Sequence, residues 1–305
     1  MSLISARGLD KRFGPVQALD GFDLELGPGS VLGLIGPNGS GKTTALKAFL
    51  GLCPLDGGEV RVLGHDPARE RKTLMSHVGY IADVGILPRW MRVRQLLDFA
   101  AGVHPRFDRE RALAALAGTD VRPDARIAGL SKGMGVQLHL AVIAAIGADL
   151  LVLDEPTLGL DILNRQRFYD TLLGNWFSAE RGILITTHEV REIEHLLTHV
   201  VFIHRGRAVL QAAMAEIQSR FSRLTVTGDG LAAARALGPL AERSATSGTQ
   251  LIFDGVDRES LARLGDVAPP SLPELFVALL RDSEVGVLRD SEAGGPGNPN
   301  QRGSS

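Results

Sequence analysis

The stretch Gly36-Pro37-Asn38-Gly39-Ser40-Gly41-Lys42-Thr43-Thr44 decides the fold of this chain, because its glycines, lysine and hydroxyls have the spacing that wraps a nucleotide's phosphates. The apolar run 31–35 before it is typical of a buried strand, and residues 44–50 after it have a helical pattern. In that context the glycines turn backbone N–H groups towards a phosphate, Lys42 adds positive charge between the β- and γ-phosphates, and the Thr43 hydroxyl can bind Mg²⁺. A glycine-rich turn alone can be purely structural, but the lysine, the hydroxyl and both flanking elements favour a nucleoside triphosphate site.

The composition limits the class of protein. With 305 residues, 44% of them hydrophobic, the chain can bury a substantial core as one large domain with an appendage, or as two domains. The net charge of −2 argues against nucleic acid as the main ligand. The single cysteine, Cys53, cannot form an internal disulfide and fits a reducing compartment. The N-terminus lacks an apolar signal core, and we expect no membrane-spanning segment.

Polar residues follow two further apolar runs. Residues 150–153 are followed by Asp154 and Glu155. Beside a phosphate loop, the first acid is the expected partner of Mg²⁺, and the second is placed to orient or deprotonate a water. His188 follows the predicted strand 182–187, at the end of a parallel strand where ligands bind in such sheets. Outside this context, the acid pair would be a solvated loop start and the histidine a capping or packing residue.

Further features lie outside these runs. The run 77–83 predicts a strand that ends at Asp83, and residues 88–130 predict a helical insertion, notably 93–103 and 109–117. Ser131 precedes an apolar helix at 136–146 and is an ordinary N-cap, although a helix N-terminus is also an anion site. Residues 3–6 predict a short strand. Phe13 lies in a polar turn, where the ring can stack on a nucleobase or be half-buried.

Taken in order, these features resemble the nucleotide-binding domain of ABC transporters over roughly residues 2–217. The most specific part, called the signature, is Leu130-Ser131-Lys132-Gly133-Met134, which lies just upstream of the Asp154-Glu155 strand. The resemblance implies an α/β fold: a P-loop NTPase core with an antiparallel β subdomain and a helical subdomain at about 88–147. It also implies an ATPase with ATP and Mg²⁺ as cofactors.

The resemblance implies which residues bind the nucleotide and the metal. Phe13 would stack on adenine, and the residues from Gly36 to Thr44 would hold the phosphates. Thr43, Asp83 and Asp154 would bind Mg²⁺, and Asp83 would also take part in catalysis. Asp83 departs from the glutamine or glutamate that is usual at this position.

The resemblance also implies a head-to-tail dimer, either a homodimer or a heterodimer with a related subunit. Glu155 would be the catalytic carboxylate and His188 would contact the γ-phosphate. Ser131 and Gly133 would close over ATP held by the other subunit, and Asp161 would lie in the loop that couples the two.

The signature variant with Lys132 and Met134 resembles the export-type branch, whose permeases are separate integral membrane proteins. We therefore expect a cytoplasmic subunit, held on the inner face of the membrane by its permease. A non-transport ABC ATPase and an ATP-clamped regulatory module with weak hydrolysis are the alternatives, whereas a phosphate-loop kinase has no use for the signature.

The resemblance weakens after residue 217. Residues 218–283 predict a small α/β accessory domain, with strands at 223–227 and 250–253 and helices at 231–237, 259–264 and 271–280. Residues 284–305 are rich in Gly, Pro, Asn and Ser and predict a disordered tail.

Overall fold

The computed structural model describes residues 2–82, 87–158, 160–175, 177–228 and 230–281. The chain divides into two compact units, Met1–Met214 and Ala215–Ser305. Within the described ranges, no helix has both the length and the apolar character needed to cross a membrane.

The first unit contains two sheets and seven α-helices in its described part. Its strands are β1 (Ile4–Phe13), β2 (Val16–Leu26), β3 (Ser30–Ile35), β4 (Gly57–Val62), β5 (Val78–Ile81), β6 (Leu150–Asp154), β7 (Gly182–Thr187), β8 (His199–His204) and β9 (Arg207–Ala213). Its helices are α1 (Lys42–Phe49), α2 (Arg71–Met75), α3 (Val93–Val103), α4 (Arg109–Leu116), α5 (Lys132–Ile146), α6 (Ile162–Asn175) and α7 (Val190–Ile193).

The six-stranded sheet has the order β5-β6-β7-β3-β8-β9. Strands β5, β6, β7, β3 and β8 pair in parallel, and β9 pairs antiparallel with β8 at the edge. Every residue of β3, β6 and β7 is buried. Strands covered on both faces form continuous apolar runs, which is why these three were predicted correctly from the sequence.

A three-stranded antiparallel sheet, in the order β2-β1-β4, forms the β subdomain. The sequence predicted a strand only at residues 3–6, but β1 continues to Phe13, which pairs with Val16. Phe13 therefore ends a strand, and its placement in a polar turn was wrong. The pairing of β1 with β2 shifts register after Ala6, where Gly8 has a φ of 57°, so the long strand lacks a simple alternating pattern.

The helical region packs α3, α4 and α5 around an apolar core that includes Val93, Leu97, Ala112 and Leu138. The predicted helices at 93–103 and 109–117 are confirmed, and α5 begins directly after Ser131 as expected. Strand β5 is shorter than the predicted strand 77–83, and Asp83 lies outside the described residues.

The second unit has a four-stranded antiparallel sheet in the order β11-β12-β10-β13. Its elements are α8 (Met214–Arg220), β10 (Phe221–Val226), α9 (Gly230–Ala236), β11 (Ala241–Ala245), β12 (Gly248–Asp254), α10 (Arg258–Ala262), β13 (Asp266–Ala268) and a helix at 272–281, α11. From β10 to β13 the order is the split β-α-β-β-α-β arrangement. The strands and helices predicted here are present, and β11 and β13 at the sheet edges were missed. The predicted tail at 284–305 lies outside the described residues.

Candidate nucleotide-binding site

The carboxyl ends of three neighbouring parallel strands bring most of the predicted site residues together. The phosphate loop follows β3, Asp154 and Glu155 stand at the end of β6, and His188 follows β7, which lies between β3 and β6. Parallel strands end at the same edge of a sheet, and this edge is where ligands bind in open α/β folds.

The phosphate loop needs its glycines. Gly39 and Gly41 have φ angles of 78° and 112°, in the left-handed region that side chains disfavour. A Cβ on Gly36 would lie 2.6 Å from the hydroxyl of Ser40, and one on Gly41 would meet the carbonyl oxygen of Ala18. The loop is therefore closely packed on its inner side. On its outer side, Pro37, Asn38 and Gly39 are exposed.

The loop also presents unused hydrogen-bonding groups. Gly41 is the N-cap of α1 and supplies no side-chain acceptor to the first amides of that helix. The hydroxyl of Ser40 is buried and has no hydrogen-bond partner in the described part of the chain. Free amides at a helix N-terminus and a buried hydroxyl suit a phosphate group.

Lys42 carries the positive charge of the loop. Its side chain is buried, and its ammonium donates hydrogen bonds to the carbonyl oxygens of Gly36 at 2.7 Å and Pro37 at 3.1 Å. Burial lowers the pKa of Lys42, and the charges of Glu155 and Asp154 raise it in part. The lysine thus lies in the field of both acids. Thr43, next to it, is exposed, and Thr44 is half-buried.

Asp154 is held by a residue that sequence reasoning missed. Its carboxylate is buried, and its Oδ1 accepts a hydrogen bond of 2.6 Å from the hydroxyl of Thr186, its cross-strand partner on β7. This bond leaves Oδ2 for another partner. The exposed Thr43 hydroxyl and a carboxylate oxygen are hard oxygen donors, so the residues present fit Mg²⁺.

Glu155 and His188 form a hydrogen-bonded pair, with 2.9 Å between Glu155 Oε2 and His188 Nδ1. Glu155 has a φ of 48°, which is uncommon for a residue with a side chain. Its amide donates to the carbonyl and hydroxyl oxygens of Thr186, at 3.1 and 3.2 Å. Thr186 therefore contacts both acids. The signal that reveals it in a sequence is a threonine at the end of an apolar strand.

The contacts that the structure describes link the signature residues to the loop of Asp161. They do not link them to the phosphate loop. Ser131 is exposed and caps α5, accepting a hydrogen bond of 3.2 Å from the amide of Met134. A Cβ on Gly133 would lie 2.6 Å from Asn164 Oδ1. Asn164 in turn donates its amide and its side chain to the carboxylate of Asp161, at 2.9 and 2.6 Å. These bonds lower the pKa of Asp161.

Phe13 presents an aromatic surface. Its side chain is 52% exposed, and the ammonium of Lys11 lies 5.3 Å from the ring centroid. Lys11 is itself paired with Asp56 at 2.9 Å. A cation near the ring is a favourable contact, and an exposed ring can stack on a base.

Known proteins are similar to this chain over most of its length. A family model described as ABC transporter matches residues 19–158. The Nod factor export ATP-binding protein I of Paraburkholderia xenovorans is 32% identical over 286 residues, which cover 88% of this chain and 94% of that protein. The daunorubicin resistance ATP-binding protein DrrA3 of Streptomyces coeruleorubidus is 30% identical over 304 residues, which cover 92% of this chain and 96% of that protein. DrrA2 of the same species is 35% identical over 211 residues, covering 68% of this chain and 65% of that protein.

Solved structures share the fold. An ATP-binding subunit of an ABC transporter has a TM-score of 0.64 at 24% identity and covers 71% of this chain and 92% of its own. A nucleotide-free ATP-binding cassette from an ABC transporter has a TM-score of 0.60 at 20% identity, and the match covers 72% of this chain and 94% of the cassette. The predicted fold class, a P-loop NTPase core, is confirmed.

Proposed function

Because this chain belongs to the ABC transporter ATP-binding family, we propose that it hydrolyses ATP and supplies the energy for export through a separate membrane permease. Relatives that match nearly their whole length are named for Nod factor export and daunorubicin resistance. The single observation that carries the proposal is the meeting of Lys42, Asp154, Glu155 and His188 at one edge of the parallel sheet.

The phosphate loop and its lysine bind the triphosphate. The uncapped amides of α1 and the buried Ser40 hydroxyl supply donors, and Lys42 supplies charge. Thr43 and Asp154 would hold Mg²⁺, with Asp83 as a further proposed ligand, and the bound ion would neutralise phosphate charge. Thr186 keeps Asp154 oriented for that role because its hydroxyl bonds one carboxylate oxygen. Phe13 offers its exposed ring to the adenine base.

Glu155 and His188 act on the terminal phosphate. The Glu155 carboxylate orients and deprotonates the attacking water, a role that typically contributes about 10²- to 10⁴-fold to the rate. His188 donates from Nδ1 to this carboxylate, which fixes the ring with Nε2 on its other side. Nε2 then contacts the γ-phosphate.

The working unit is a head-to-tail dimer. Ser131 is exposed as the N-cap of α5, and the N-terminus of this 15-residue helix suits a phosphate. Three large apolar side chains flank Asp161 and are exposed, which favours a protein interface there: Leu158, Ile162 and Leu163. We place Ser131 and Gly133 of one subunit over the nucleotide of the other, and the dimer on the inner face of the membrane beside its permease.

Replacement of Glu155 tests hydrolysis. Glu155→Gln should bind ATP as the wild type does, while kcat falls by about 100-fold or more, because the amide cannot take the proton from water. Glu189→Gln is the matched control, since it removes an equal charge 3.8 Å from His188 Nε2 and leaves the Glu155–His188 hydrogen bond in place. Near-normal turnover in Glu155→Gln, or an equal loss in the control, would remove Glu155 from the mechanism.

A further inference from the structure

Arg165 joins the loop of Asp161 to a helix near His188. It lies in the first turn of α6, and its side chain is 21% exposed. Its amide donates to the carbonyl of Asp161 at 3.0 Å, and its Nε donates to the carbonyl of Leu160 at 2.7 Å. Its Nη1 pairs with the carboxylate of Glu192 on α7. One planar guanidinium therefore holds a loop carbonyl and a carboxylate at once.

Glu192 depends on this arginine. It stands on the short helix α7, which begins at Val190, just beyond His188. Its Oε1 pairs with Arg165, and its Oε2 is buried without a hydrogen-bond partner in the described ranges. The Glu192 side chain as a whole is 27% exposed, so loss of Arg165 would leave a partly buried carboxylate without its counter-charge, which costs stability.

A second contact ties the same helix to the turn after Glu155. The hydroxyls of Tyr169 on α6 and Thr157 are 3.2 Å apart, and both side chains are buried. Helix α6 is thus fixed to the Glu155 turn by Tyr169 and to the His188 helix by Arg165. Asp161, at the start of α6, is therefore linked through this helix to the segments that carry Glu155 and His188.

We propose that Arg165 is a positioning residue: paired with Glu192, it fixes the loop of Asp161 to α7 and so sets His188 against Glu155. The proposal rests on the proposed function, since it takes Glu155 and His188 as the hydrolytic pair. A subunit that approaches at Asp161 would in this way influence the geometry of the site in the same chain. Arg165 acts through the backbone of the Asp161 loop and through Glu192.

Four variants separate positioning from simple structural support. Arg165→Ala should lower kcat by about 10-fold or more and leave the ATP dissociation constant within about two-fold, because small misplacements of reacting groups are costly. Arg165→Lys should recover part of the rate, since an ammonium can pair with Glu192 but cannot reproduce the two-sided fork. Arg167→Ala, on an exposed side of the same helix, is the control and should leave kcat unchanged.

The Arg165→Ala/Glu192→Ala double variant makes the sharpest distinction. Removal of the unpaired carboxylate should restore thermal stability towards the wild-type value, because the uncompensated charge is gone. The rate should stay low, because the link between the loop and α7 is still missing. A rate that recovers together with stability would overturn the proposal, as would an unchanged kcat in Arg165→Ala.

The same experiments distinguish this proposal from the proposed function. If Glu155→Gln abolishes turnover and Arg165→Ala does not slow it, only the positioning role fails. If the wild-type dimer shows no ATP hydrolysis, the proposed function fails first.

Discussion

Thr186→Val should destabilise the first unit by disrupting the support of both acids. The Thr186 hydroxyl is fully buried and donates at 2.6 Å to Asp154, a carboxylate that is itself only 8% exposed. Valine fills nearly the same volume, so the change removes the hydrogen bond without opening a cavity. A hydrogen bond to a charged group is worth about 1.5–3 kcal/mol, and the buried oxygen that loses it adds a desolvation cost. We therefore expect a loss of about 2–3 kcal/mol in the free energy of unfolding.

Thr187→Val is the matched control on the same strand. Thr187 is also buried, and its hydroxyl accepts a hydrogen bond of 2.9 Å from the amide of Glu189, which carries no charge. A neutral bond is worth about 1 kcal/mol, so the control should lose about that much. Both tryptophans, Trp90 and Trp176, belong to the first unit, so the denaturant dependence of tryptophan fluorescence reports the unfolding of that unit.

The difference in unfolding free energy between the two variants tests whether Thr186 supports Asp154. Thr186→Val should cost at least 1 kcal/mol more than Thr187→Val, because only Thr186 serves a buried charge. In an Asp154→Ala background the extra cost should disappear, since the carboxylate is gone. Equal losses in the two threonine variants, or an extra cost that persists without Asp154, would refute the assignment of Thr186 as the support of this acid.

Two further predictions concern aromatic residues. Phe13→Ala should weaken ATP binding by about 10-fold, because base stacking on an aromatic ring is worth about 1–3 kcal/mol. The stability of the protein should hardly change, since the ring is half exposed. Equilibrium titration with ATP measures the affinity, and an unchanged affinity would contradict the prediction. Burial raises the pKa of Tyr169 to about 12, so the folded state favours the neutral phenol, and this stabilisation is present below pH 10 and is lost as pH rises through 12. From pH 10 to 12 the wild type should lose about 2 kcal/mol more unfolding free energy than Tyr169→Phe, and parallel pH profiles would contradict this.

The central strands and the ends of those strands were predictable from the sequence. Strands β3, β6 and β7 are buried on both faces, so each forms an apolar run, and the polar residues that follow them stand out. Asp154, Glu155 and His188 were proposed as site residues in this way, and Lys42 was proposed from the spacing of the phosphate loop.

The features that the sequence did not predict depend on contacts between distant segments. Strand β1 was predicted too short because Lys11 and Arg12 fall within it and its pairing changes register. Strand β11 is a partly exposed edge strand with polar residues, and β13 is an edge strand of only three residues. Arg165 was missed because its role follows from the packing of α6 beside α7, which a local pattern does not specify.

The composite site is tested most directly by mixing two inactive subunits. In a mixed dimer of Lys42→Ala and Ser131→Arg chains, one site combines both defects, and the other combines an intact Lys42 with an intact Ser131. ATP hydrolysis by the mixture should exceed that of either variant alone. If mixed dimers form and their hydrolysis stays at the level of the separate variants, Ser131 does not complete the nucleotide site of the other subunit.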